Sequence, residues 1–135
     1  MEQLKILSLN INGLNSPTKR SKTFNYLRKQ KLDIICLQET YIKKAQEVLL
    51  ENKWLGNLFT ASAEVKKRGV AIYIKPPNLQ ITDRLTDPEG RYIFLKIRLP
   101  DNSIWTLANL YAPNSGKEVF LMECLRYFRI LQRET

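Results

Sequence analysis

The 135-residue chain contains no histidine, which excludes Ser-His-Asp and Cys-His catalysis within it and any imidazole general base. Cysteine is scarce as well. Cys36 and Cys124 each sit alone in an apolar run, without the spacing of a zinc or redox motif, so each is expected to be a buried structural thiol. Five glycines and six prolines are too few for a collagenous or low-complexity chain. No apolar run approaches the roughly 18–20 residues of a membrane span, and MEQLKILSLN is too short in apolar character for a signal peptide. A soluble, intracellular protein with no membrane partner is expected. Acidic residues are also short, 13 against 22 lysines and arginines, and the resulting +9 favours an anionic partner such as nucleic acid or a lipid surface. The excess belongs to the first hundred residues, because residues 101–135 carry four cations and four anions.

What is present folds. The length allows one domain, and 44% apolar residues are enough for a core. LKILSLN at 4–10 is a strand that ends in turn-forming Asn and Gly positions. Ser16-Pro17 starts a helix, with Ser16 as N-cap, Pro17 at the first helical position, and Phe24, Leu27 and Tyr26 as an apolar stripe up to about Gln30. DIICLQE at 33–39 is the β-branched run of a strand buried on both faces, which completes a βαβ unit. A second helix is expected over 43–53, burying Ala45, Val48 and Leu49, with Trp54 closing it. Five strands then follow at about 58–61, 69–75, 80–85, 91–99 and 103–111, separated by turn residues. Tyr92 and Phe94 alternate with Ile93, Leu95 and Ile97, and Pro100-Asp101-Asn102 predicts an antiparallel hairpin. Phe120, Cys124, Tyr127 and Phe128 predict a last helix over 117–132 with a buried stripe. The class is therefore α/β (α+β) with a mixed, mostly antiparallel sheet and flanking helices.

Three polar clusters end apolar strands: Asn10 and Asn12, Gln38-Glu39-Thr40, and Asn109 to Asn114. Ligands of α/β sheets bind at strand ends, and one carboxylate among several amides suits a hard cation and a phosphate. Glu39 supplies the charged oxygen, and Tyr111 can donate to a phosphate oxygen. The same residues are ordinary turn formers, with Glu39 a solvated strand end, and the pattern alone leaves both readings open. Lys66-Lys67-Arg68 reads equally as a solvated hairpin turn or a contact to a nucleic-acid backbone. Trp54 and Trp105 are expected to pack into the core or under loops, since each adjoins an apolar segment.

LNINGLNSPTKR at 9–20, ICLQET at 35–40, GVAIYI at 69–74 and LANLYAPN at 107–114 occur in an order and spacing that resembles the endonuclease/exonuclease/phosphatase superfamily. The resemblance is nearest to the N-terminal endonuclease domain of LINE non-LTR retrotransposon reverse-transcriptase polyproteins. It implies a four-layer αββα sandwich and Mg2+-dependent (or Mn2+-dependent) nicking of DNA that leaves a 3′-hydroxyl primer. Glu39 then matches the metal-binding glutamate, and Asn10 the asparagine that helps order metal and phosphate. Tyr111 and Asn114 match the pair that contacts the scissile phosphate; Asn12 and Gln38 flank these positions. Nucleic-acid contacts are expected from Asn12, Lys19, Arg20, Lys22, Arg28, Lys66, Lys67 and Arg68.

The departures are as informative. The superfamily's Asp-x-Asn strand end and its Asp-His pair have no counterpart, and Tyr41 stands where a histidine usually follows Glu-Thr. Residues 1–135 are accordingly expected to be one partial domain, the N-terminal half of the sandwich, with apolar surface left uncovered and little activity alone. DNA is the expected partner, together with the remainder of a longer retrotransposon polyprotein, and the nucleus the expected location. A basic, non-catalytic nucleic-acid-binding remnant, and a phosphatase or deadenylase of the same superfamily, remain as alternatives.

Overall fold

The computed structural model describes residues 4–111. Strand β1 (Ile6–Asn10), helix α1 (Pro17–Lys29) and strand β2 (Ile34–Gln38) form the expected βαβ unit, with β1 and β2 parallel. A 3-10 segment (Lys44–Leu50) follows, then β3 (Asn57–Ala61), β4 (Val70–Ile74), β5 (Gln80–Thr86), β6 (Tyr92–Arg98) and β7 (Ile104–Leu110). They make two sheets, ordered β1-β2-β4-β3 and β5-β6-β7, in which every pairing except β1 with β2 is antiparallel. The mixed α/β class is as the sequence predicts. The last predicted helix, with Cys124, and Asn114 lie outside the described residues.

Helix α1 forms for local reasons. The Ser16 hydroxyl accepts the Lys19 N–H at 3.3 Å, Pro17 needs no donor at its position, and Arg28 and Lys29 oppose the negative end of the helix dipole. Leu27 is buried, and Phe24 meets Tyr73 edge-on at 6.3 Å, but Tyr26 points to solvent rather than joining the stripe.

Two cores result from the alternation of β2 and β4. Ile34, Cys36, Val70, Ile72 and Ile74 face the second sheet and meet Ile93, Leu95 and Ile97. Ile35, Leu37, Ala71 and Tyr73 face the other way, onto Leu14, Leu27, Ile42, Leu50 and Leu55. The first sheet is thus covered on both faces, which corrects the expectation that its covering sheet is absent, since β5-β6-β7 supplies the second layer; exposed apolar side chains remain, as expected, at Ile6 on β1 and at Ile104 and Trp105 on β7. Burial pushes the Cys36 thiol up to about 11, so it stays protonated and unreactive.

The predicted 43–53 helix is corrected too. Its backbone leaves helical geometry at Gln46 (φ −119°, ψ 17°), which breaks the spacing that would align Ala45, Val48 and Leu49. Val48 is 66% exposed, and Leu50 anchors the segment instead, its carbonyl accepting the buried Tyr73 hydroxyl. Neither tryptophan joins the core: Trp54 and Trp105 are each 50% exposed.

The β5-β6 turn is built on Asp87. Its buried carboxylate accepts the Arg91 backbone N–H at 2.9 Å and the guanidinium at 2.7 and 3.2 Å. Burial raises the carboxyl's pKa, but the bonds from Arg91 outweigh it and hold it below the usual range. A depressed pKa contributes stability above pH ~4 that is lost as pH falls through the folded value. Asp87→Asn should therefore cost about 1–3 kcal/mol at pH 7, and the gap to the parent should narrow at pH 3, in denaturant titrations at both pH values.

Candidate active site

The ends of β1 and β2 lie side by side, Asn10 opposite Gln38, and their pairing continues into the turns beyond. Ile11 N–H reaches the Gln38 carbonyl at 2.9 Å, Gly13 N–H the Glu39 carbonyl at 2.7 Å, and Leu14 N–H the Thr40 carbonyl at 2.9 Å. From the other side, Thr40 N–H donates to the Gly69 carbonyl (3.1 Å) and Tyr41 N–H to the Arg68 carbonyl (2.8 Å). The Glu39-Thr40-Tyr41 segment is gripped between two loops. Within this grip Asn12, Glu39 and Tyr41 all take left-handed backbone, with φ of +51°, +58° and +58°. Non-glycine residues pay for this geometry, and such strain clusters at functional sites. Gly69 must be glycine here, since at φ +95° a Cβ would strike the Thr40 hydroxyl.

The side chains converge. Asn10 Oδ1 accepts the Asn12 N–H at 3.1 Å, and Asn12 Oδ1 accepts the Tyr41 hydroxyl at 3.3 Å. The Glu39 carboxylate and Tyr111 also act electrostatically on the Tyr41 phenol. Burial first, then the charge of Glu39, pushes its pKa above the ordinary tyrosine range. Tyr111 is set at this end of the second sheet by its N–H, which donates to the Arg91 carbonyl at 2.7 Å. Of the predicted site residues, Asn10, Asn12, Glu39 and Tyr111 thus share one end of the sandwich; Asn114 is outside the described residues.

Gln38 has a different task. Its amide donates to Ser8 Oγ (3.0 Å) and to Asn109 Oδ1 (2.7 Å), while the Asn109 amide donates to the Leu37 and Ala71 carbonyls (3.0 and 2.9 Å). Asn109, 2% exposed, thereby sews the second sheet to the first directly below the site. A lone amide in the apolar strand IWTLANL was the available signal for this role. Tyr41 is not among the residues that the sequence predicts for the site, although its hydroxyl bonds Asn12 there.

The basic residues divide. Lys19 Nζ donates to the Ile11 and Asn12 carbonyls (2.8 and 3.0 Å), and Arg20 to those of Leu14 and Asn15 (2.9 and 3.3 Å), so both brace the turn that carries Asn12. Arg68 pairs with Glu89 at 2.9 Å, next to the Glu39 segment. Lys22, Lys66 and Lys67 stand in solvent.

Residues 7–130 match the Endonuclease/Exonuclease/phosphatase family. The chain belongs to this family of nucleases and phosphodiesterases. Family members generally depend on a divalent metal ion. The chain is 30% identical to an exodeoxyribonuclease of Bacillus subtilis over 118 residues, covering 84% of this chain and 44% of that protein. It is 28% identical to the transposon TX1 uncharacterized 149 kDa protein of Xenopus laevis, covering 85% of this chain and 9% of that protein. The crystal structure of an AP endonuclease from Leishmania major shares the fold at a TM-score of 0.67 and 21% identity, over 89% of this chain and 43% of its own. The chain spans less than half the length of each. No helix among the described residues is long and apolar enough to cross a membrane.

Asn109→Ala removes a buried side chain together with the bonds that join the sheets. It should lower stability by about 2–4 kcal/mol in urea titration, well beyond the effect of Lys66→Ala, which should stay within about 0.5 kcal/mol.

Proposed function

We propose that this chain carries the metal- and phosphate-binding side of an endonuclease that nicks DNA and leaves a 3′-hydroxyl primer, as part of a LINE-type retrotransposon polyprotein. The observation that carries this reading is Glu39, a carboxylate on left-handed backbone at the end of the sandwich whose charge acts on Tyr41, the residue that bonds Asn12 and is also influenced by Tyr111. The relation to a transposon protein of which the chain matches a small part supports the polyprotein context. A chromosomal target would put its work in the nucleus.

The donor set fits Mg2+ or Mn2+: one carboxylate with neighbouring amide and phenol oxygens, all hard ligands, around an ion that keeps several of its own waters. Glu39 and Asn10 would hold it, and the bound ion would polarise the phosphate and offset transition-state charge. Tyr111 and Asn114 would donate to the non-bridging phosphate oxygens. Asn12, held by Tyr41 and Lys19, would border the phosphate. Lys22, Lys66, Lys67 and Arg68 would draw in the DNA backbone without reading its sequence.

Among the described residues no general base accompanies them. Glu39 is the only acidic residue in the turns 10–15, 38–42 and 111, it is engaged in holding the ion, and the chain has no histidine to deprotonate the attacking water. The chain alone should therefore bind metal and DNA without turnover.

The test pairs Mn2+ titration, followed by water-proton relaxation, with nicking of supercoiled plasmid in Mg2+ beside an EDTA control. The parent should bind Mn2+ at least tenfold more tightly than Glu39→Ala and should leave the plasmid intact. Equal Mn2+ affinities would remove Glu39 as ligand, and nicking that Glu39→Ala abolishes would show that the base is present after all.

A further inference from the structure

A second surface lies on the helical layer, toward the opposite end of the first sheet. In the β2-β4-β3 register, Gln38, Val70 and Ala61 mark the site end, while Ile34, Ile74 and Asn57 mark the other. Trp54 stands three residues before Asn57. Between this tryptophan and α1 runs an open groove of about 420 Å³ whose walls include Phe24, Asn25, Arg28, Asn52 and Trp54.

Three features of the groove need a common explanation. Trp54 leaves half of its surface in water, although the large core beside it has room for apolar rings such as Phe24 and Tyr73. Two cations share its indole, the Arg28 guanidinium 4.2 Å from the ring centre and Lys53 Nζ at 5.5 Å, and neither has an acidic partner among the described residues. Helix α1, finally, carries five cations and no anion. Lys19 and Arg20 are engaged by loop carbonyls, which leaves Lys22, Arg28 and Lys29 in solvent.

A flat apolar ring, cations for phosphates and amides that can meet base edges are the parts of a stacking platform. A duplex hides the faces of its bases; a single strand offers them. We propose that this groove is a second nucleic-acid site, specific for single strands, in which a base takes the Trp54 face that the Arg28 guanidinium now covers, and Arg28, moved aside, joins Lys29 and Lys53 in neutralising the adjoining phosphates. The groove reaches the turn of the strand-end site through Arg20, which lines it and donates to the Leu14 and Asn15 carbonyls, but its stacking ring lies at the far end of α1 and does not depend on metal. A nuclease that holds a single strand here keeps a displaced strand away from the cleavage site.

Fluorescence anisotropy of a fluorescein-labelled twelve-residue oligothymidylate, with the full chain in EDTA, tests this. Trp54→Leu should weaken binding by roughly 5- to 150-fold, the range that one stacked base supplies, and Trp54→Tyr should recover most of it. Arg28→Gln, on an exposed side chain with little bearing on folding, should weaken binding several-fold and reduce its salt dependence by about one phosphate contact. Trp105→Leu should bind as the parent does, which separates this groove from indole exposure in general. The proposal falls if Arg28→Gln and Trp54→Tyr both bind within twofold of the parent while Trp54→Leu does too, if Trp105→Leu costs as much as Trp54→Leu, or if a labelled duplex loses as much as the single strand on Trp54→Leu.

Discussion

The two sheets of this protein are joined by apolar packing, which has no direction, and by one amide, which has. Asn109 enters from β7 and donates to carbonyls of both β2 and β4, while its own oxygen accepts from Gln38. Hydrophobic contact alone would tolerate some sliding of one sheet over the other; a buried amide satisfied at three points does not, since any slip leaves polar atoms unpaired in a medium without water. The strand ends therefore meet in one register, and Tyr111, two residues beyond Asn109, arrives near Tyr41 because of it.

On this fixed base the backbone can hold an unfavourable shape. Three non-glycine residues, Asn12, Glu39 and Tyr41, lie in the left-handed region within one small turn system. Each would relax to extended or helical backbone if free. The ladder from Ile11 to Leu14 on one side, and the Gly69 and Arg68 carbonyls on the other, over-determine the segment and prevent this. The carboxylate is thereby aimed by main-chain bonds rather than by the packing of its side chain. The basic loop at 66–68 is part of the same device, because the backbone that bears Arg68 also grips Tyr41.

Much of the fold was legible locally. Ser16-Pro17 announced the helix because capping needs only neighbours in sequence, and the strands announced themselves by β-branched runs between turn residues. The apolar spacing of 43–53 suits a helix, but the backbone departs from one at Gln46, two residues after Lys44, whose N–H is held by the distant Ala63 carbonyl. Lys19 and Arg20 looked like free cations; that they brace the Asn12 turn follows from how α1 folds back over the β1 loop. Trp54 looked like core, but its place at the margin of the helical layer leaves it under Arg28 instead.

By itself the sequence determined the class, the strand count over 4–111, the family words and the type of chemistry that a lone carboxylate among amides and tyrosines can serve. These depend on periodicity and residue type, which act over a few positions. Only the tertiary structure decided that the second sheet already covers the first, that Gln38 is tied to Asn109, that the charge of Glu39 acts on Tyr41, and that Arg28 and Trp54 form a surface of their own. Each of these joins residues far apart in the chain, whose meeting is set by sheet register and layer packing and leaves no pattern in the order of the letters.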